Sequence, residues 1–526
     1  MSPMLVRGTA LIVAAAVLLT PQPALAATAV PVPVLHWSAC GDGPVGGLFC
    51  AEAAVPLDYD QPAGPTITLA LIRQLALDQA HRAGTLFVNN GGPGNSVLDF
   101  VAGGDAASVV PADVQARFDI VGFDPRGVGR STPVRCFDSA DEQGAFFGGR
   151  PAFPVGLAET AAFIAGSKDL ARRCAERNGE LLAHLSTANV ARDLDLLRQA
   201  VGDSQLSFAG YSYGALLGLT YAQLFPGKVR ALLLDGIPDA REFTRTGPLT
   251  TVAPITVRTD SASATGTALD SFLATCAAAG PDACSFATPD PAVPTVRAKF
   301  DRLMAKLRQG PVVVQTPDGP LPVTYAFLVD AMRGALQFPP IWGFVADQLQ
   351  ATWTSSGPSL AKQFASTVSA GDGVDDSDGQ DNSREAFLAV ACGETNNPTK
   401  PIVWPLVAAV ADARTPYFGA AWAWASEPCA TWPVKDADRY LGAFTATTAH
   451  PPLFVNGLQD AASNYDRAKQ VANAVPGARL ITVDGPGHPA SFIPDACLSQ
   501  ATAAYLIDLT LPAEGTVCRP DALPFA

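Results

Sequence analysis

The chain has 526 residues, is 48% hydrophobic and 16% charged, and carries a formal net charge of -14 at pH 7. These proportions exclude a disordered chain and describe a globular protein able to bury a large core. The acidic balance argues against phosphate-binding surfaces, so neither a nucleic-acid partner nor adhesion to anionic membranes is expected.

The N-terminus predicts export. Arg7 precedes an apolar run from Thr9 to Leu19, and Ala24-Leu25-Ala26 forms a small-residue cleavage site. This is the pattern of a secretory signal peptide over residues 1–26, cleaved after Ala26. The run is too short to span a bilayer, and no later stretch predicts stable membrane insertion. An oxidising compartment and an even count of ten cysteines predict disulfides. Spacing does not fix connectivity. Pairing of sequence neighbours is the expectation adopted: Cys40–Cys50, Cys136–Cys174, Cys276–Cys284, Cys392–Cys429 and Cys497–Cys518. No C-x-x-C spacing suggests zinc, so no metal or cofactor is expected.

After a leader to about Pro33, residues His36 to Cys50 read as a small stapled loop region. Ala54–Tyr59 and Ile67–Ile72 read as early strands, the second with an alternating pattern. The apolar strand Thr85–Val88 runs into Asn89-Asn90-Gly91-Gly92-Pro93-Gly94-Asn95-Ser96. That loop lacks the Lys-Ser/Thr of a nucleotide phosphate cradle and the glycine spacing of a dinucleotide site. Its place after a strand fits a loop that donates a backbone N–H to an oxyanion, with Gly92 as the expected donor. Phe118–Phe123 is a further buried strand. It ends in Asp124-Pro125-Arg126-Gly127, where Arg126 is expected to brace loops rather than touch substrate.

An amphipathic helix is predicted from Thr187 to Gly202, with Val190, Leu194, Leu197 and Val201 on one face and Ser186 or Thr187 as its cap. Next comes Leu206-Ser207-Phe208-Ala209-Gly210-Tyr211-Ser212-Tyr213-Gly214. A short apolar strand, a G-x-S-x-G turn and the helix-forming Ala215–Ala222 make the strand–turn–helix context of a nucleophile elbow. Glycine at 210 and 214 relieves crowding in so tight a turn. Ser212 is thus the candidate nucleophile, and the Tyr213 N–H is the second oxyanion donor. Val229–Asp235 is the following strand, closed by Gly236.

Strands alternating with helices imply a mostly parallel sheet covered on both faces. From about Pro238 to Pro451 the pattern gives way to a stretch helical in tendency, read as an inserted cap domain. Its acidic segment Gly371–Ser383 approaches calcium-loop spacing, but the first ligand position would be Val374, so a solvated loop is expected. The α/β pattern resumes with the strand Pro452–Gly457, leading to Asp460. Ala478–Val483 leads to Asp484-Gly485-Pro486-Gly487-His488, and a final helix covers about Ala496 to Leu509. The domain reading is 1–26 signal peptide, 27–237 core, 238–451 cap and 452–526 core with a C-terminal module.

A serine nucleophile needs a base within hydrogen-bond reach. Of the five histidines, His36, His81, His184 and His450 fall away from sheet ends. Only His488 follows the last strand of the sheet. Asp460 is the expected acid behind it; Asp466 falls in the next helix and Asp484 too close to His488 along the chain. The order Ser212, Asp460, His488 is that of the α/β-hydrolase fold, which is the fold class expected.

The motifs resemble the secreted actinobacterial tripeptidyl aminopeptidase family, related to prolyl aminopeptidases. The likeness runs through Val55-Pro56-Leu57-Asp58-Tyr59, Asn90-Gly91-Gly92-Pro93-Gly94, Asp124-Pro125-Arg126-Gly127, Gly210–Gly214, Leu234-Asp235-Gly236 and the C-terminal Leu511–Cys518. Two loops depart from the family pattern. Asp460-Ala461-Ala462-Ser463-Asn464 stands where Asp-Pro-x-Thr-Pro is usual, and Pro489 follows His488 where a small residue is usual. Both bear on the pocket rim and therefore on substrate. The resemblance implies a serine exopeptidase releasing tripeptides or residues from free N-termini. It also makes Glu394, beside Cys392, a candidate anchor for the substrate α-ammonium, against the reading of a surface cap residue. A carboxylesterase or lactone hydrolase acting on a small metabolite uses the same triad and is the alternative. A binding protein on an inactive hydrolase fold is a third, opposed by the intact Ser-Asp-His set.

Overall fold

A computed structural model describes residues 30–43, 47–316, 319–354 and 380–525. The segment read as a signal peptide and most of the acidic stretch Gly371–Ser383 lie outside these residues.

Ten strands form one sheet: β1 (Ser38–Gly41), β2 (Leu48–Pro56), β3 (Thr66–Gln74), β4 (Gly84–Asn89), β5 (Phe118–Phe123), β6 (Leu206–Tyr211), β7 (Val229–Asp235), and, beyond a separate pair β8 (Val312–Thr316) and β9 (Gly319–Val323), β10 (Leu453–Gln459), β11 (Arg479–Pro486) and β12 (Val517–Cys518). Their order is β1-β2-β3-β5-β4-β6-β7-β10-β11-β12. Pairing is antiparallel from β1 to β5 and parallel from β5 to β12. The central strands are continuous apolar runs because both faces are covered. Alternate side chains of each strand enter different cores. Phe87, Val121, Phe208, Leu232 and Phe454 pack on one face with Val190, Leu194 and Leu197 of the helix Thr187–Ala200. Leu86, Ile120, Ala209, Leu233 and Val455 pack on the other, with Val97, Val114, Leu498 and Tyr505.

Between β7 and β10 the chain builds a third core from helices that include Ser261–Ala279, Val296–Gln309, Tyr325–Ala335 and Trp342–Thr354. This stretch also contains a hairpin, β8 (Val312–Thr316) with β9 (Gly319–Val323), that the helical tendency did not predict. Packing does not separate the inserted stretch cleanly from the sheet. The helix Ser383–Glu394 sends Ala389, Val390 and Cys392 into the sheet core, while Phe153, from the β5–β6 connection, joins the third core.

The region read as a stapled loop is an edge strand: β1 pairs with β2 and is tied to it by Cys40–Cys50. All five expected disulfides are present. Among the described residues no helix is long and apolar enough to cross a membrane.

Candidate active site

Ser212 lies between the last residue of β6 and the first residue of the helix Tyr213–Leu224, with φ 56° and ψ -121°. An L-residue at positive φ costs roughly 1–2 kcal/mol, so the surroundings must hold it. They do so with Ser212 N–H donating to Asp235 O at 2.8 Å and Ala215 N–H donating to Ser212 O at 2.9 Å. The flanking glycines are compulsory on space alone. A Cβ at Gly210 would lie 2.2 Å from Gly214 O, and one at Gly214 would lie 2.3 Å from Asn89 O.

His488 Nε2 is 2.9 Å from Ser212 Oγ, and its Nδ1 is 2.8 Å from Asp460 Oδ2. A carboxylate at Nδ1 fixes the proton there, leaving Nε2 to accept from the serine hydroxyl. Asp460 is 2% exposed, and its Oδ1 accepts from Ala462 N–H at 2.8 Å and Ser463 N–H at 2.7 Å. Burial of the imidazole disfavours its charged form, but attraction to Asp460, the hydrogen bond to it and the charge of Asp235 outweigh this, and the pKa is raised. The rival acids stand elsewhere. Asp466 begins the helix Tyr465–Ala474, and Asp484 receives Arg519 Nε at 3.0 Å. Of the other histidines, His81 pairs with Asp78 at the surface and His184 faces Asp438 at 3.9 Å.

The glycine loop after β4 lies against the elbow. A Cβ at Gly91 would fall 2.9 Å from Ser212 Cβ and 3.1 Å from Tyr213 N. The Gly91 N–H is already donated to Asn89 Oδ1 at 3.0 Å. The next amide, that of Gly92, has no acceptor among the described residues. As the first residue of its helix, Tyr213 also has an N–H without an intrahelical acceptor. Asp124, at the end of β5, steadies the loop from behind. Its Oδ1 accepts from Ser96 Oγ, Val97 N–H and Leu98 N–H at 2.9, 2.8 and 3.1 Å, and its Oδ2 accepts from Arg130 N–H at 3.0 Å.

Residues 84–278, which include the glycine loop and the elbow, match the family described as alpha/beta hydrolase fold. Residues 415–518, which include Asp460 and His488, match the family described as TAP-like protein. Serine protease Hip1 of Mycobacterium tuberculosis is 32% identical over 489 residues, 90% of this chain and 88% of its own. Tripeptidyl aminopeptidase of Streptomyces coelicolor is 31% identical over 491 residues, 91% of this chain and 84% of its own. The chain belongs to the TAP-like α/β-hydrolase family. A further relative, Carboxylesterase B of Mycobacterium tuberculosis, is 33% identical over 517 residues, 93% of this chain and 90% of its own. This TAP-like hydrolase is therefore a serine hydrolase.

Two residues singled out in the TAP-like chain do not touch Ser212. Arg126 is fully buried. It donates to both carboxylate oxygens of Asp193 at 2.8 and 2.7 Å and to the carbonyls of Pro56, Leu57 and His184. Its role is bracing. Tyr59 donates to the same Asp193 at 2.7 Å, so two sequence motifs meet at one buried carboxylate.

Glu394 is 7% exposed, a buried residue rather than a surface one. Its Oε2 accepts from Thr187 N–H at 3.0 Å and its Oε1 from Thr187 Oγ at 2.9 Å. Thr187 Oγ is also 2.7 Å from Tyr213 Oη, so Glu394 reaches the residue beside Ser212 through one hydroxyl. Burial pushes its pKa up to about 7 against the lowering effect of the Thr187 bonds. The expected side-chain cap from Ser186 or Thr187 is absent. Carboxylates from the inserted stretch take its place: Glu394 on Thr187, and Asp436 on Ser186 N–H at 2.8 Å. A local sequence rule cannot see this, because the partners are 250 and 207 residues apart.

Sequence reasoning also gave no role to Asp124, to Asp235 or to Gln337, whose carbonyl accepts from His488 N–H at 2.9 Å. The first two carried a signal: each is an acid closing an apolar strand, followed by Pro or Gly. Gln337 carried none.

Proposed function

We propose that this serine hydrolase is an exported aminopeptidase that releases short peptides from free N-termini through an acyl-enzyme on Ser212. The observation that carries the chemistry is the unbroken hydrogen-bonded chain from Ser212 Oγ through His488 to Asp460. Ser212 Oγ bonds to the scissile carbonyl carbon as its proton passes to His488 Nε2, and Asp460 stabilises the resulting imidazolium. The carbonyl electron pair moves onto oxygen, received by the N–H groups of Gly92 and Tyr213. Collapse breaks the C–N bond, and the Nε2 proton leaves with the amine. Water then gives a proton to Nε2, attacks the acyl ester and frees the peptide acid, restoring Ser212. A peptide or small ester or amide is the substrate class, and no step calls for a cofactor.

The choice of peptide rests on the two peptidase relatives. Glu394 is the anchor in this reading. A carboxylate held near pH 7 by burial is completed as an ion pair when an α-ammonium arrives. Esterase action is the second reading, supported by the likeness to Carboxylesterase B and by the use of both Glu394 oxygens on Thr187. The deciding experiment compares a free-amine tripeptide anilide, its N-acetylated form and a p-nitrophenyl ester. The aminopeptidase reading expects acetylation to abolish anilide turnover and Glu394→Gln to raise KM for the free amine. Equal turnover of both anilides, or turnover of the ester alone, rejects it.

A further inference from the structure

Asp235, the last residue of β7, is fully buried and belongs to no hydrogen bond of the triad. Its main-chain oxygen nevertheless accepts from Ser212 N–H at 2.8 Å. Its carboxylate reaches the histidine loop. Oδ1 accepts from Ala490 N–H at 3.2 Å and Oδ2 from Ser491 N–H at 2.7 Å. One residue thus holds the backbone of Ser212 and the chain two and three positions beyond His488.

Its neighbour completes the junction. A Cβ at Gly236 would lie 2.9 Å from His488 Cε1, so the imidazole rests on the Gly236 backbone. The Gly236 N–H donates to Val455 O of β10 at 3.0 Å, and its carbonyl accepts from Ser463 Oγ of the acid loop at 2.6 Å. The strand end Asp235–Gly236 is therefore in contact with the elbow, the histidine loop and the acid loop together.

A carboxylate is a costly way to satisfy two amides in a dry site, since burying a charge costs several kcal/mol. A neutral Asn would offer one oxygen to one amide and turn an NH2 toward the other. The charge has a second use. The charged groups facing His488 are Asp460 and Asp235, and both favour the imidazolium. We propose that Asp235 is a positioning residue for His488: it fixes the histidine loop against the nucleophile and places a second negative charge behind the imidazolium formed during the reaction. Burial pushes the Asp235 pKa up to about 6, against the bonds from Ser491 and Ala490, so the group is ionised at neutral pH.

The proposal rests on His488 serving as the base for Ser212, so the test uses a readout independent of the peptide question. The rate of fluorophosphonate labelling of Ser212 is measured from pH 5 to 9 on folded wild type, Asp235→Asn and Ser491→Ala. Wild type must label; if it does not, the triad reading fails, which is a separate result. Asp235→Asn is expected to label about tenfold or more slowly on the plateau above the acid limb, and by a smaller factor toward pH 5, where the wild-type carboxyl is itself protonated. Its acid limb is expected to move to lower pH by about half a unit or more, because a charge favouring the imidazolium is gone. A purely structural role would slow labelling, if at all, without moving that limb. Wild-type rates, or a slowed rate with an unmoved limb, overturn the proposal. Ser491→Ala keeps the backbone donor but removes a side-chain bond to the same carboxylate. It covers the case in which Asp235→Asn does not fold, and a several-fold slower labelling is expected; an unchanged rate overturns the proposal.

Discussion

Replacing Gly91 by alanine probes the glycine loop proposed to bind the oxyanion, without replacing Ser212, Asp460 or His488. Gly91 has φ +93°, and an added Cβ would meet Tyr211 O at 2.5 Å, Ser212 Cβ at 2.9 Å and Tyr213 N at 3.1 Å. The positive φ costs roughly 1–2 kcal/mol for an L-residue, and a methyl forced into a packed site costs about 1–3 kcal/mol more. The elbow is the less compliant partner, since it is locked by Gly210, Gly214 and the bond to Asp235. The loop must therefore retreat from Ser212, and in the oxyanion role proposed for it this displaces the Gly92 N–H. Loss of one oxyanion donor lowers kcat by roughly 10²–10³-fold, about 2.7–4 kcal/mol in the transition state. The assay is kcat on a turned-over anilide or ester, with Tm as a control for folding. At Gly92 the direction differs: its Cβ would meet Gly94 N and Asn95 N, within the loop itself. Gly92→Ala is thus expected to cost less in kcat than Gly91→Ala. A Gly91→Ala protein with wild-type kcat and Tm would refute the assignment of this loop to the oxyanion.

Three further outcomes are expected. The raised pKa of His488 puts the acid limb of kcat/KM above pH 6.5, since the base must be neutral to accept the serine proton; a limb below that value in a pH-rate profile contradicts it. Burial holds Glu385, Glu394 and Glu427 at about 7 and Asp124 and Asp235 at about 6. The folded state then binds protons more tightly than the unfolded chain at these groups and at His488, so stability rises as pH falls from about 7.5 toward 5. A Tm higher at pH 8 than at pH 5.5 would reverse that sign. Arg126→Met removes the ion-pair partner of the buried Asp193, leaving it the Tyr59 hydroxyl, which costs about 3–5 kcal/mol; Tm falls while kcat per titrated active site stays at the wild-type value.

The parts legible in the sequence are those whose causes are local. Phe118–Phe123 and Val229–Asp235 are short apolar runs ended by polar turns, and their limits agree with the strands observed. The elbow and His488 were legible because a parallel sheet delivers the ends of its strands to one edge, whatever lies between them. β1 was read as loop because Ser38–Gly41 is exposed along its whole length and pairs on one side only. The hairpin at Val312 was hidden by the helical tendency around it, although three consecutive valines favour an extended chain. Ser186 was read as a cap from its type and position, yet its helix start is satisfied by carboxylates from more than 200 residues away.

The same distance limit explains why substrate choice is the least legible property. Among the described residues, the inserted stretch is in contact with both the histidine loop and the glycine loop. Gln337 holds the backbone of His488, and a Cβ at Gly94 of the glycine loop would collide with Ser383 O at 2.4 Å and Phe387 N at 2.8 Å. Glu394, on the same helix as Ser383, reaches Tyr213 through Thr187. These elements of the inserted stretch are thus struts of the glycine loop and of the histidine loop. A change at Gln337 or along the helix Ser383–Glu394 is therefore expected to reach the histidine loop or the glycine loop.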